Sequence, residues 1–75
     1  MHEPKTGFQA LSSREGQCLR EMALGKRVQA IAEAMGIAPV TVELHLRNAR
    51  AKLQASTNPA AVAKAISLGL IDPYR

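Results

Sequence analysis

Ile31-Ala-Glu-Ala-Met-Gly-Ile-Ala-Pro-Val-Thr-Val-Glu-Leu-His-Leu-Arg-Asn-Ala-Arg-Ala-Lys-Leu53 decides the fold. Val28, Ile31, Ala32 and Met35 recur at i, i+3, i+4 and i+7, the signature of one buried helical stripe. Gly36 follows, where a glycine ends a helix at low cost by turning left-handed. Pro39 suits the first turn of a new helix, where its missing N–H has no intrahelical partner to lose. Two helices joined so tightly cross steeply, and the pair reads as a helix-turn-helix.

On a wheel of about 100° per residue, Val42, Leu46, Ala49 and Leu53 form the core stripe of the second helix. Val40, Leu44, Arg47, Asn48 and Ala51 face the other way. Glu43 and Arg50 flank that outer face on one side, and Thr41, His45 and Lys52 on the other. A surface mixing Arg and Asn with Leu and Ala suits base-pair edges: Arg forks onto guanine, Asn onto adenine, and an apolar group touches a thymine methyl. Glu43 lies four residues before Arg47, so an ion pair along the helix is the competing, purely structural reading.

Working outward, Ser12 to Glu15 has the form of a capping box that opens a first helix with Cys18, Leu19, Met22 and Ala23 inside and Gly25 at its end. Thr57-Asn58-Pro59 opens a last helix, with Thr57 as N-cap and proline in the first turn. There Val62 and Ile66 are expected to point inward, and Ala61, Ala65 and Leu68 outward as a small-residue face for a two-fold dimer. Gly69 stops the helix, and Leu70 and Ile71 fold back. The expectation is an all-α, four-helix domain over residues 10–75, preceded by a flexible leader or linker remnant over residues 1–9.

Composition narrows the function. A chain of 75 residues has room for one modest core and little for an elaborate active site. The formal charge is +4, and after Glu33 the acids are Glu43 and Asp72, against Arg47, Arg50, Lys52, Lys64 and Arg75. The basic end thus coincides with the reading helix. Phe8 and Tyr74 are the two aromatics, too few for a base-stacking single-strand binder. A lone Cys18 forms no internal disulfide and reads as a core residue in a reducing compartment. No apolar run reaches membrane-spanning length and no signal peptide opens the chain, so a cytoplasmic protein is expected. Ser12 and Ser13 have no base within motif reach, His45 has no second ligand on its face, and no Gly-rich phosphate loop appears. Neither catalysis, metal nor cofactor is expected.

With these elements in place, the chain resembles the LuxR-type (GerE-like) domain over Leu11 to Ile71. The matching pieces are Leu11-Ser-Ser-Arg-Glu15, Leu19, Gly25-Lys26, Ile31-Ala32, Gly36-Ile37, Thr41-Val42, His45, Lys52-Leu53 and Gly69-Leu70-Ile71, in shared order and spacing. The resemblance implies a transcriptional regulator whose second and third helices form the motif, whose fourth supports dimer contacts, and whose sensory domain lies upstream. A quorum-sensing or other signal-responsive regulator fits that pattern, with double-stranded DNA as partner and RNA polymerase as a further one. It also implies a phosphate contact for Thr41, a major-groove role for Arg47, and backbone contacts for Lys26 and Lys52. Three positions depart from the family pattern: Glu43 replaces a common basic side chain, and Ala38 and Arg27 replace capping residues. Arg27 opposes the helix dipole but is suited to approach a phosphate. The expected DNA-contact set is Lys26, Arg27, Thr41, Leu44, Arg47, Asn48, Arg50 and Lys52. Region four of sigma factors, with a similar motif, and an interaction module that blocks a partner regulator are the alternatives.

Overall fold

The structure, a computed structural model, describes residues 10–74, so the reading of a flexible leader falls on residues outside those described. Four helices follow one another: α1 (Ser13–Ala23), α2 (Val28–Met35), α3 (Pro39–Leu53) and α4 (Asn58–Ser67). The described residues contain no strand, and the all-α, four-helix expectation holds.

Several boundaries have a local cause. At α1 the Glu15 N–H donates to Ser12 Oγ at 3.1 Å while the Ser12 N–H donates to Glu15 Oε1 at 2.9 Å, a complete capping box. α2 ends on Gly36, whose φ of 69° is the left-handed conformation that a side chain would resist. Pro39 occupies the first turn of α3. Thr57 caps α4 by accepting the Ala60 N–H at 3.1 Å.

The end of α3 was not legible beforehand. Gln54 takes a left-handed φ of 56° without being glycine. Lys64, reaching across from α4, donates to the carbonyls of Gln54 at 2.8 Å and Leu53 at 3.3 Å. A cation thus meets the otherwise unpaired carbonyls at the negative end of the helix dipole, which offsets the backbone strain.

Cys18 and Leu19 of α1, Ile31 and Ala32 of α2, Val42, Leu46, Ala49 and Leu53 of α3, and Ala61 and Ala65 of α4 form one buried cluster. All four α3 residues assigned to its core stripe are inside. Cys18 is among them, its Sγ 3.6 Å from Met35 Sδ. Burial pushes the thiol pKa up, against the opposing charge of Arg14, so Cys18 stays protonated and packs as a small apolar group.

α4 corrects the expectation of its facing. Ala61 and Ala65 are fully buried, whereas Ile66 is 43% exposed and Val62 half-buried. Small side chains at i and i+4 let the α4 backbone lie close against α1 and α3, and that close approach turns the bulkier isoleucine outward. Ala61 and Ala65 therefore cannot line a dimer contact; of the three residues assigned to one, Leu68 remains exposed. Beyond α4, Ile71 is half-buried and Pro73 buried, but Leu70 stays largely exposed rather than folding back.

Candidate nucleic-acid interface

The outer face of α3 is the most distinctive surface. Because Val42, Leu46, Ala49 and Leu53 are committed to the core, the helix period forces Val40, Leu44, Arg47, Asn48 and Ala51 into solvent. Val40 is 70% exposed and Leu44 50%, on the same outer face as the exposed Arg47 and Asn48. Val28, Val40, Leu44, Arg47, Arg50 and Asn58 line an open concavity of about 600 Å³ there, together with Thr41 and Glu43. Leu44 thus lies on the outer face, half exposed and lining the concavity together with Val28 of α2.

The ion pairs sort the basic side chains. Among the described residues, Lys52 pairs with Glu15 and Lys26 with Glu21, and no such pair joins Glu43 to Arg47. Arg47 is therefore exposed and free of a carboxylate partner. Arg27, at the uncapped start of α2, is likewise exposed. Lys26 remains at the surface despite its partner, its side chain 43% exposed. Arg50 is half-buried and donates to Asn58 Oδ1. Thr41 is half-buried in the first turns of α3.

Lys52 is placed differently from the rest of this set. Its Nζ lies 2.8 Å from Glu15 Oε1, and the two side chains are 26% and 6% exposed. Burial alone would push the Glu15 carboxyl pKa up. The Lys52 hydrogen bond and charge, with the bonds from Ser12, outweigh it and hold the pKa below its ordinary value. The lysine is thereby drawn toward α1, and its charge is cancelled by a covered carboxylate. It braces α3 on the α1 capping box. Residues 15 and 52 are too far apart in sequence for periodicity to join them.

Sequence reasoning also missed Asn58. Its neighbours Thr57 and Pro59 mark it as the start of a helix, and no sequence signal connects it to Arg50 across the intervening turn.

Among the described residues no helix is long and apolar enough to cross a membrane, and no cluster of His, Cys, Asp and Glu is placed to hold a metal ion.

A short helix, a left-handed turn and a longer helix with an unpartnered Arg- and Asn-bearing face, braced by two flanking helices, define a helix-turn-helix domain. The model of bacterial regulatory proteins of the luxR family matches residues 9–65, and the chain belongs to that family, a class of DNA-binding domains of transcriptional regulators. It is 50% identical over 62 residues to the quorum sensing-dependent transcriptional regulator VjbR of Brucella abortus, covering 83% of this chain and 24% of that protein. It is 42% identical over 64 residues to the transcriptional activator VanR of Vibrio anguillarum, covering 85% of this chain and 27% of that one. Among solved structures, the phage VqmA–DPO complex matches with a TM-score of 0.72 and 29% identity, over 79% of this chain and 27% of that one. The chain thus spans about a quarter of the length of these relatives.

Proposed function

We propose that this domain reads double-stranded DNA sequence-specifically, with α3 in the major groove. The supporting observation is the outer face of α3, where Arg47, Asn48, Leu44 and Val40 stand clear of the core and Arg47 has no carboxylate partner. Arg47 and Asn48 supply bidentate donors for base edges, and Leu44 an apolar contact for a thymine methyl. Arg27, Lys26, Arg50 and Thr41 hold the phosphates and set the register of the helix in the groove. In this reading Lys52, paired with the covered Glu15 carboxylate, serves to brace the fold instead.

The domain is the output part of a signal-responsive transcriptional regulator in the cytoplasm, of the quorum-sensing kind that the name of VjbR describes. Two copies bind together on DNA, which sets their reading helices one turn of duplex apart, roughly 34 Å. The surface available for pairing is the outward side of α4, where Pro59, Ala63 and Ile66 are exposed, extended by Leu68. Engagement of RNA polymerase belongs to the same reading.

Selection from random duplexes followed by gel shift tests it. A recurrent, two-fold related sequence motif is the expected result, and recovery of no preferred sequence would refute sequence-specific binding. On the recovered site Ile66→Glu should abolish cooperativity and leave weak half-site binding. Undiminished cooperativity would place the pairing surface elsewhere.

A further inference from the structure

One arginine of the DNA-facing surface is held from outside its own helix. Arg50 lies in the last turn of α3 and Asn58 opens α4, and Arg50 Nη1 donates to the Asn58 carboxamide oxygen at 2.5 Å. Both side chains are half-buried, and both line the concavity shared with Leu44 and Arg47. A guanidinium carries donors only, so its presence fixes the amide: Oδ1 turns toward Arg50 and the amide N–H groups turn away. The helix start does not require Asn58, because Thr57 supplies the cap of α4.

The chemistry of the partner matters. Lys52 is held by a covered carboxylate, which cancels the positive charge it positions, whereas Lys26 pairs with Glu21 at the surface. Asn58 holds Arg50 with a neutral oxygen, so the guanidinium keeps its full charge and its remaining N–H donors. Glu43 lines the same concavity but forms an ion pair with neither Arg47 nor Arg50. A long side chain ordered in the free protein also loses less freedom when it binds.

We propose that Asn58 is a positioning residue for DNA contact: it presents the Arg50 guanidinium, undiminished in charge, to a backbone phosphate beside the reading helix, and so brings the start of α4 into the nucleic-acid interface. This inference rests on the reading of the domain as a DNA binder. In that reading α4 has two separate duties. Its first residue serves the protein–DNA contact, and its outward side serves pairing between copies.

The test is a double-mutant cycle on Arg50 and Asn58, measured by fluorescence anisotropy over a salt series. The probe is a duplex recovered from the random selection. Arg50→Ala should weaken binding and make the dependence of log affinity on log salt shallower by about one unit. Asn58→Ala should weaken binding about 2- to 10-fold with an unchanged salt slope, because it frees the side chain without removing its charge. Asn58→Asp should still hold the guanidinium but make the slope shallower by about one unit, because it cancels the charge. In the Arg50→Ala background, Asn58→Ala should have no further effect. Asn58→Ser replaces the alanine variant if thermal melting shows that the latter fails to fold. Wild-type affinity in the single Asn58 variant, or an equal loss with and without Arg50, would overturn the proposal while leaving DNA binding intact. Failure of the wild-type domain to bind any duplex would instead overturn the reading on which the proposal rests.

Discussion

Helices α1 and α4 begin on side-chain caps, from Ser12 and Thr57, whereas α2 and α3 begin on Arg27 and Ala38 with none. The capped pair forms the frame, and the uncapped pair carries the proposed contact with DNA. The frame is fastened further by the Lys52–Glu15 ion pair and by Lys64 on the end of α3. The reading pair leaves its first-turn N–H groups without side-chain acceptors, and such groups are suited to a phosphate. Its order comes from burial of Ile31, Ala32 and the four-residue stripe of α3 rather than from its own termini. Stability and recognition are thus assigned to different residues even though both run through α3.

The largest expected effect breaks the frame from inside. Ala65→Glu places a charge in a fully buried site and should cost about 3 kcal/mol or more, enough to unfold a domain of this size. Ile66→Glu, one residue on and facing outward, should cost about 1 kcal/mol or less. Thermal melting of the two variants decides the matter, and equal loss would mean that the facing of α4 described above is wrong.

Next in size is the brace between frame and reading helix. Lys52→Ala leaves the covered Glu15 carboxylate without its cation and should destabilise the domain by about 1 to 3 kcal/mol. Because the folded-state pKa of Glu15 is held below its ordinary value of 4.5, the pair's contribution is fully present above that value and drains away as pH falls through the folded pKa. Acid titration followed by circular dichroism should therefore show Lys52→Ala unfolding at higher pH than wild type. Identical acid midpoints would show that the pair contributes nothing to stability.

The smallest effects sharpen the contrast in capping. Ser12→Ala should cost about 1 kcal/mol by opening the capping box, while Ala38→Ser should gain about 0.5 to 1 kcal/mol by giving α3 the cap it lacks. Chemical denaturation resolves both. A loss from Ala38→Ser would mean that the start of α3 is held by something other than burial.

Most of this architecture is local, and local features were legible. Ser12, Gly36, Pro39 and Thr57 act through bonds within a few residues of themselves, so sequence places all four boundaries. The α3 stripe is legible because large apolar residues sit on one side and polar residues on the other. α4 defeated the same reasoning. Alanine occurs on both its buried and exposed sides, and the assumption that larger apolar residues point inward sent Ile66 the wrong way. The Lys52–Glu15 and Arg50–Asn58 contacts depend on how separate helices pack, and neither leaves a periodic trace. The left-handed Gln54 was hidden because its support comes from Lys64 on another helix.

On this reading the outer face of α3 contacts bases while the Lys52 side braces the fold. The most direct test compares Arg47→Ala with Lys52→Ala on the selected duplex and on variants of it, with binding corrected for the folded fraction. Arg47→Ala should cost about 1 to 3 kcal/mol and erase the preference at one or two base positions, whereas Lys52→Ala should leave both sequence preference and salt slope unchanged. Uniform weakening of all duplexes by Arg47→Ala, together with a shallower salt slope for Lys52→Ala, would contradict the account.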